Sequence, residues 1–306
     1  MGSTAIVFSG QGAQYPGMGR ELYEYSPAAR FVFDMAEKIK PGITQMCFSG
    51  TDDELRKTEN TQPCLYCVDL AAAAALEEAG VRAEILAGFS LGELAALAFS
   101  GAVSYEAGFE IVLRRAELMR KASERANTGM AAVLTLSDDE VTALCGEYEN
   151  VYPVNFNYKG QVVVSGLREE LELFISRVKE TGGKAVPLKV SGAFHSPFMA
   201  EAAGAFTDAL GSFEIGWPRQ ALYANVSAQR YGTDARDLLA RQVCNPVLWS
   251  KSVENMIAGG ADTFIEAGPG RTLCGFISRI SKNVRVFNVE DCESLQKTVE
   301  GVISRA

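Results

Sequence analysis

Ser90 is the residue of this chain whose neighbours most favour a role as a nucleophile. It follows the apolar run 85–87, precedes a Leu/Ala-rich segment, and has a glycine two residues away on each side, Gly88 and Gly92. A serine on a sharp turn between a strand and a helix exposes its hydroxyl, and the two glycines leave room for that turn. Free amide groups at the start of the helix would stabilise an oxyanion. The pattern predicts a nucleophile elbow; the alternative is a glycine-rich turn without chemistry.

His195 is the one histidine of the chain. A serine hydroxyl reacts only when a nearby base takes its proton, and histidine can do this near neutral pH. The flanking Gly192 and Pro197 favour a loop over the interior of a helix or strand. We predict that His195 is the base for Ser90, against the alternative of a structural histidine.

The composition of the 306-residue chain is that of a soluble globular protein, with a net charge of −9. The negative charge argues against nonspecific binding of nucleic acid. No apolar run reaches the length of a membrane span, and the first residues do not resemble a secretion signal. We therefore expect a cytoplasmic protein that binds neither membrane nor nucleic acid.

The seven cysteines are scattered and odd in number, so they do not resemble a disulfide framework. The pair Cys64-x-x-Cys67 has a spacing that can bind metal or carry out redox chemistry, but a second such pair is missing. We expect these thiols to pack in the core, and we expect no metal site.

The elements that position Ser90 are predicted from hydrophobic periodicity. Residues 4–8 form a β-prone run that ends in a glycine-rich loop, 9–14, which either brings backbone amides to a ligand or is a plain turn. Residues 16–80 are predicted to be helical, and an amphipathic helix is predicted from 105 to about 125. Breaks in the first helical region are predicted near 26–27, 40–42 and 61–63.

Residues 129–190 have a different pattern of predicted elements, in the order strand, helix, strand, strand, helix, strand. That order is the split βαβ arrangement of a ferredoxin-like unit. We predict a ferredoxin-like small domain at 127–190, inserted into an α/β-hydrolase-like large domain formed by 1–126 and 191–306. The fold class is therefore α/β, with the active site in the cleft between the two domains.

Six short motifs occur in the order and spacing seen in malonyl-CoA:acyl carrier protein transacylases. They are Gly10-Gln11-Gly12-Ala13-Gln14, Gly88-Phe89-Ser90-Leu91-Gly92-Glu93, Arg115 four residues before Met119, Asn155-Phe156-Asn157, Gly192-Ala193-Phe194-His195-Ser196, and Asn245-Pro246-Val247-Leu248-Trp249. The chain resembles this family from about Ile6 to Asn288.

The resemblance implies an acyl transfer in two steps. Ser90 would attack the thioester of malonyl-CoA with His195 as base, and the phosphopantetheine thiol of acyl carrier protein would then take the malonyl group from the serine ester. Backbone amides of Gln11 and Leu91 would form the oxyanion hole. The family resemblance further implies fatty-acid biosynthesis, a coenzyme A thioester as substrate and no permanently bound cofactor; we expect a monomer.

The resemblance also assigns the acyl pocket. Arg115 would bind the free malonyl carboxylate through its guanidinium fork; Arg114 is the competing candidate, and a surface arginine is the structural alternative. Met119 and Asn155 would contact the substrate. The ring of Phe194 would crowd out an α-methyl group and so favour malonyl over methylmalonyl.

Two residues depart from the family pattern. Phe89 replaces the histidine that usually precedes the nucleophile, which alters the pocket wall. Leu248 stands where many members carry glutamine or asparagine, and the main-chain carbonyl at this position is the family's usual orienting partner for the histidine. We expect a Ser-His dyad oriented by that carbonyl. Three carboxylates are available as an acidic third member, although nothing in the sequence places one there: Glu93, Asp262 and Glu266.

A docking surface for an acidic carrier protein needs a positive rim, because this chain is acidic too. The candidate cations are Lys179, Lys184, Lys189, Arg271, Arg279, Lys282 and Arg285. For each of them, a solubilising surface charge is an equal alternative.

Three other functions share parts of this pattern. A serine thioester hydrolase would use the same elbow and base, but it has no need of a buried cation at Arg115. A carrier-binding module without catalysis would form no acyl-enzyme. A malonyl loader for a polyketide synthase would share every site residue.

Overall fold

A computed structural model of the chain describes residues 2–190, 192–232 and 235–303. The strands are β1 (Ser3–Phe8), β2 (Ile85–Gly88), β3 (Thr128–Leu134), β4 (Val151–Tyr158), β5 (Gln161–Leu167), β6 (Lys184–Pro187), β7 (Ala221–Tyr223), β8 (Ala261–Ala267) and β9 (Arg285–Val289). The helices are α1 (Arg20–Tyr25), α2 (Pro27–Ile39), α3 (Ile43–Ser49), α4 (Asp52–Leu55), α5 (Thr58–Glu78), α6 (Gly92–Phe99), α7 (Tyr105–Ser123), α8 (Asp138–Cys145), α9 (Arg168–Glu180), α10 (Ala200–Leu210), α11 (Ala235–Cys244), α12 (Trp249–Ala258), α13 (Thr272–Ile280) and α14 (Cys292–Ile303).

The larger sheet is parallel and has the strand order β7-β2-β1-β8-β9. Its central strands are apolar and buried on both faces, as parallel strands covered by helices must be. All the carboxyl ends lie at one edge, so the loops after β1, β2 and β8 meet there. The strand order reverses beside β1, and the crevice outside the carboxyl ends at such a reversal is the usual ligand site of an open α/β sheet.

The smaller sheet is antiparallel, with the order β4-β5-β3-β6, and has α8 and α9 packed on it. It encloses a hydrophobic cluster of its own, centred on residues such as Val133, Val164 and Phe174. This is the predicted split βαβ arrangement, so the α/β class with a small antiparallel sheet beside a large parallel one is confirmed. The division at 127–190 stays a prediction, and residue 191, where the large domain was predicted to resume, lies outside the described residues.

A short main-chain ladder joins the small sheet to the large part of the molecule. The N–H of Phe156 in β4 donates to the carbonyl of Val247 at 3.0 Å, and the N–H of Val247 donates to the carbonyl of Val154 at 2.8 Å. These two hydrogen bonds place Val247 beside β4, in a parallel bridge with Asn155. The ladder lies a few residues after the end of α11, and it fixes one edge of the cleft between the sheets.

The predicted helix break at 61–63 is wrong, because α5 continues through Pro63. A proline inside a helix leaves the carbonyl four residues earlier without its N–H donor. Here that carbonyl belongs to Glu59, and the ammonium of Lys40 donates to it at 3.0 Å. A side chain from the end of α2 thus replaces the lost hydrogen bond. Within the described helices, none combines the length and the hydrophobicity needed to cross a membrane.

Candidate active site

Ser90 occupies the tight turn between β2 and α6, at the carboxyl edge of the large sheet. Its φ of 54° is left-handed, a strained value for a residue with a side chain. A Cβ on Gly88 would lie 1.9 Å from the carbonyl carbon of Gly92, and a Cβ on Gly92 would lie 2.3 Å from the carbonyl oxygen of Phe8. Both glycines are therefore required by close backbone approach, and together they hold the serine hydroxyl out of the turn.

We expect Gly88→Ala to destabilise the protein by an amount at or above the top of the roughly 1–3 kcal/mol range of overpacking substitutions. The added methyl meets main-chain atoms, which cannot turn aside as a flexible side chain can. Thermal or urea unfolding measures the loss. Gly204→Ala is the matched control, because a Cβ there meets nothing within 4 Å in α10 and should leave stability unchanged or raised. Equal stability of the two variants would contradict this account of the turn.

His195 lies directly against the nucleophile, with Nε2 2.7 Å from Ser90 Oγ. Its Nδ1 is 2.7 Å from the main-chain carbonyl of Gln242. Because a carbonyl can only accept, Nδ1 carries the proton and Nε2 is free to accept from the serine hydroxyl. His195 also has a left-handed φ, of 61°. The two residues, 105 positions apart, are thus brought together as a nucleophile and its base.

The expected orienting role of the Leu248 carbonyl is wrong. That oxygen accepts the N–H of Ser252 at 2.9 Å and its hydroxyl at 3.0 Å, because Leu248 caps the first turn of α12. The carbonyl of Gln242 is available instead for a reason visible in the sequence. Its helical donor would be the N–H four residues later, and that residue is Pro246, which has none.

The pKa of His195 is lowered to about 4, first by burial and then by the positive charge of Arg115. The main-chain carbonyls of Gln242 and Asn245 act in the opposite direction. The imidazole is therefore neutral at physiological pH and already in the form that a general base needs.

We expect the rate of acyl-enzyme formation at saturating malonyl-CoA to stay flat as the pH falls from 7 to about 5, and to drop with a midpoint near 4. The base works only when deprotonated, so a lowered pKa moves the acid limb to lower pH. Stopped assays with intact-mass detection measure the profile. Since the unfolded chain binds the proton at the ordinary value near 6.5, stability is itself lost as pH falls from 6.5 to 4, and circular dichroism must show that the protein stays folded at each point. A midpoint near 6.5 in folded protein would contradict the prediction.

Arg115 is only 1% exposed and lies beside the nucleophile. One terminal nitrogen, Nη2, is 3.1 Å from Ser90 Oγ and 2.8 Å from Gln242 Oε1; the other, Nη1, donates to Gln62 Oε1 at 2.9 Å. Burial lowers the pKa of Arg115 to about 10, so the guanidinium stays charged at neutral pH. Arg114 instead is exposed and lies near Glu117, which excludes it from the site.

No carboxylate in the described part of the chain is hydrogen-bonded to the Arg115 guanidinium, and its Nε has no acceptor there either. Its partners are neutral amide and hydroxyl oxygens. A buried cation without a direct anionic partner is costly and marks a place where a ligand supplies the charge. Met119 supports this arrangement from α7, because its sulfur lies 3.4 Å from Gln62 Nε2 and so helps to orient the amide that holds Arg115.

The three carboxylates considered as a third member do not touch His195. Asp262 accepts from the N–H of Gly2, and Glu266 accepts from the N–H groups of Leu273 and Cys274 at the start of α13. Glu93 is buried beneath the nucleophile turn, where it accepts from Gln242 Nε2 at 2.8 Å. Within the described ranges, the group at the second ring nitrogen of the histidine is therefore a main-chain carbonyl and not a carboxylate.

A cleft of about 210 Å³ lies between the two sheets, beside Phe89 of the nucleophile turn. The loop after β1, including Gln11, forms one wall, and strands of the small sheet form the other. Phe89 also lines the cleft, and the centre of its ring lies 5.5 Å from that of Trp249 and 6.2 Å from that of Phe276. Asn155 also lines the cleft, and its Oδ1 is buried without a donor among the described residues.

Leu91 directly follows Ser90 in the nucleophile turn, and Gln11 lies in the loop after β1, which lines the same cleft as Phe89. Neither N–H donates to any atom in the ranges that the structure covers. An oxyanion hole requires two free N–H donors, and the assignment of this role to Gln11 and Leu91 stays a prediction. The Phe194 ring is buried in the main hydrophobic cluster, next to Gly192. Its effect on an α-methyl group stays a prediction.

Sequence reasoning missed four polar side chains that build the site. Asn225 Oδ1 accepts the N–H of Ser90 at 2.7 Å and holds the turn, while Gln62 and Gln242 hold the arginine. Asn157 stands beside Asn155 with a second unpaired Oδ1. The choice of Arg115 over Arg114 agrees with the helix phase of α7, because Arg115 lies on the same buried face as Ile111 and Met119.

The cysteine pair lies in α5, away from the cleft, and both thiols are buried. Burial raises the pKa of the Cys67 thiol well above its usual range. No cluster of three or more potential metal ligands is present in the part of the chain that the structure describes.

Comparisons with known proteins agree on one family. Residues 5–300 match the acyl transferase domain family. The malonyl CoA-acyl carrier protein transacylase of Bacillus subtilis is 35% identical over 308 residues, covering 98% of this chain and 97% of that protein. The crystal structure of the transacylase from Clostridium perfringens aligns with a TM-score of 0.95 at 37% identity, over 99% of this chain and 98% of that one. A malonyl-transacylase solved in complex with a type II polyketide synthase acyl-carrier protein aligns with a TM-score of 0.94 at 32% identity, over 98% and 99%.

Proposed function

The chain belongs to the malonyl CoA-acyl carrier protein transacylase family, and on that premise we propose that Ser90, His195 and Arg115 carry its reaction. The enzyme is an acyl-carrier-protein S-malonyltransferase of fatty-acid biosynthesis. It moves malonyl from malonyl-CoA to the phosphopantetheine thiol of acyl carrier protein. The proposal assigns each chemical role to a residue of the site described above.

The observation that carries the assignment is the Arg115 guanidinium beside the nucleophile, to which no carboxylate among the described residues is hydrogen-bonded. Its Nη2 lies 3.1 Å from the serine oxygen that would hold the acyl group. A malonyl ester places its free carboxylate two carbons from the ester carbonyl, within reach of that cation. The pair would form in a buried site, where charge-assisted bidentate hydrogen bonds are strong. An acetyl group would leave the cation unpaired.

Acylation starts when Ser90 Oγ attacks the thioester carbonyl and His195 Nε2 takes its proton. The carbonyl oxygen becomes an oxyanion, which the N–H groups of Gln11 and Leu91 would stabilise. The carbon–sulfur bond then breaks, and the protonated imidazole returns its proton to the departing coenzyme A thiolate. The product is a malonyl-serine ester with a neutral histidine.

Transfer to the carrier reverses these proton movements. The phosphopantetheine thiol gives its proton to His195 Nε2 as its sulfur attacks the ester carbonyl. The Ser90–acyl bond breaks, and the serine oxygen recovers the proton from the imidazole. Because His195 is neutral before each step, the same residue serves as base and then as acid in both.

The cleft fits the phosphopantetheine arm that both substrates share. This arm carries two amide groups, and the cleft presents two unpaired carboxamide oxygens, those of Asn155 and Asn157. Buried acceptors of this kind need donors, which the amide N–H groups of the arm would supply. We propose this as the contact through which Asn155 binds substrate.

The carrier would dock where cations flank the mouth of the cleft. Lys189 follows Leu188 on one wall, and Arg271 precedes Thr272 on the other. Both side chains are exposed, so they suit an acidic partner. Arg285 does not belong to this rim, because it binds Thr263 Oγ1 and the carbonyl of Gly301 near the amino ends of β8 and β9.

We propose further that the enzyme works in the cytoplasm as a monomer and keeps no permanently bound cofactor, since the thioester substrate brings the acyl group already activated. A polyketide carrier is the partner in one solved relative. The carrier of this enzyme is therefore best identified by assay.

The deciding experiment mixes the protein with malonyl-CoA and follows intact mass before and after addition of acyl carrier protein bearing phosphopantetheine. We expect one malonyl adduct on the peptide that contains Ser90, then malonyl on the carrier. Carrier protein without phosphopantetheine is the control and should stay unmodified. Release of free malonate in place of malonyl carrier would indicate a hydrolase, and the absence of any adduct would indicate a binding module.

A further inference from the structure

Glu93 is a fully buried carboxylate directly beneath the nucleophile turn. Its Oε2 accepts from Gln242 Nε2 at 2.8 Å and from the N–H of Asn225 at 3.1 Å, while its Oε1 accepts from the Tyr231 hydroxyl. None of the proton transfers assigned above uses this group. A buried carboxylate three residues from the nucleophile therefore has a role still to be assigned.

The Gln242 carboxamide connects this carboxylate to the cation of the acyl pocket. Its Oε1 accepts from Arg115 Nη2 at 2.8 Å, and its Nε2 donates to Glu93 and, at 2.6 Å, to the carbonyl of Ser90. The amide can face only this way, because a guanidinium cannot accept and the carbonyl of Ser90 cannot donate. One neutral group thus lies between a buried positive charge and a buried negative charge.

Among the described residues, the titratable and charged groups facing Glu93 are Tyr231, from the loop after β7, and Arg115, from α7. The two charges act on each other: Arg115 lowers the pKa of Glu93, and Glu93 raises the pKa of Arg115. Burial is the larger effect on the carboxyl and raises its pKa to about 7. Its ionisation therefore changes within the working pH range.

We propose that Glu93 is the counter-charge of Arg115, coupled to it through the Gln242 carboxamide, and that it shares this one cation with the free carboxylate of the bound malonyl group. The inference rests on the proposed function, since it needs a malonyl carboxylate at Arg115. Two carboxylates around a single guanidinium repel each other. The ionised form of Glu93 thus weakens the hold on malonyl and leaves acetyl unaffected, which makes Glu93 a specificity-determining residue.

The test compares kcat/KM for malonyl-CoA with kcat/KM for acetyl-CoA between pH 6 and 9, in the wild type and in Glu93→Gln. Glutamine keeps an oxygen for Gln242 but carries no charge. In the wild type we expect the malonyl-to-acetyl ratio to fall as pH rises through about 7, because the raised pKa lets the carboxylate appear there. In the variant the ratio should be independent of pH and, at pH 8.5, about fivefold or more above the wild type. A purely structural Glu93 would lower both substrates together, and equal ratios at every pH would overturn the inference.

Tyr231→Phe gives a second readout that does not depend on Glu93→Gln folding well. Loss of the hydroxyl removes a hydrogen bond that lowers the pKa of Glu93, so the fall in the ratio should move to higher pH. An unmoved midpoint would also count against the inference. The absence of a malonyl adduct on wild-type Ser90 would contradict the proposed function itself, which separates the two failures.

Discussion

Replacing Ser90 by alanine is expected to abolish the malonyl-enzyme and to slow malonyl transfer by roughly 10³- to 10⁶-fold. Alanine removes the only atom that can form the ester, while the main chain of the turn keeps its hydrogen bond to Asn225 Oδ1. Intact mass after brief exposure to malonyl-CoA measures the adduct, and malonyl carrier formation measures the rate.

The matched control is Ser212→Ala, which removes an exposed hydroxyl bonded only to the nearby Ala209 carbonyl among its described contacts. It should retain full transfer. His195→Ala should match Ser90→Ala closely in rate, because residues that act as one unit are not additive. A malonyl adduct that persists in Ser90→Ala would place the nucleophile elsewhere and overturn the proposed mechanism.

Replacing Arg115 by alanine should lower kcat/KM for malonyl-CoA by about 10²- to 10³-fold while acetyl transfer is unchanged or raised. The malonyl carboxylate then lies in a buried pocket without its cation, whereas an acetyl group no longer leaves a guanidinium unpaired. Arg115→Lys should recover only part of the malonyl activity, since an ammonium keeps the charge but cannot form the two-pronged pair.

Arg114→Ala is the control for this experiment, because that neighbour is solvent-exposed on the same helix and contacts Glu117. It should leave both substrates unaffected. Steady-state kinetics with the two thioesters measures the ratio. Equal losses of malonyl and acetyl transfer in Arg115→Ala would mean that the arginine supports the turn through Ser90 and Gln242 without selecting the acyl group.

Much of the fold was readable from local patterns. The parallel sheet follows from short apolar runs separated by helices, because such runs indicate strands that are buried on both faces. The small sheet follows from the order of its strands and helices along the chain. The meeting of Ser90 and His195 was inferable for a different reason, because a chain with one histidine offers a single imidazole to a serine at the end of a strand.

The parts that could not be predicted depend on contacts between distant segments. The orienting carbonyl was assigned to Leu248, yet a main-chain group carries no sequence identity; only the missing N–H of Pro246 marked Gln242 as the free acceptor. Likewise Pro63 signalled a helix end, and nothing in its own neighbourhood showed that Lys40 would satisfy the carbonyl it exposes. Residue propensities describe a single segment of the chain. The carbonyl that orients His195 and the continuation of α5 through Pro63 both depend on contact with a second segment.

The ladder between Phe156, Val154 and Val247 also constrains how the molecule can move. The paired peptide groups hold the β4 edge of the small sheet to the segment that follows α11. A shift of the small sheet against this segment would have to break these two hydrogen bonds. Because Gln242 near the end of α11 supplies the carbonyl that binds His195 Nδ1, one short stretch of chain both holds β4 and orients the catalytic imidazole.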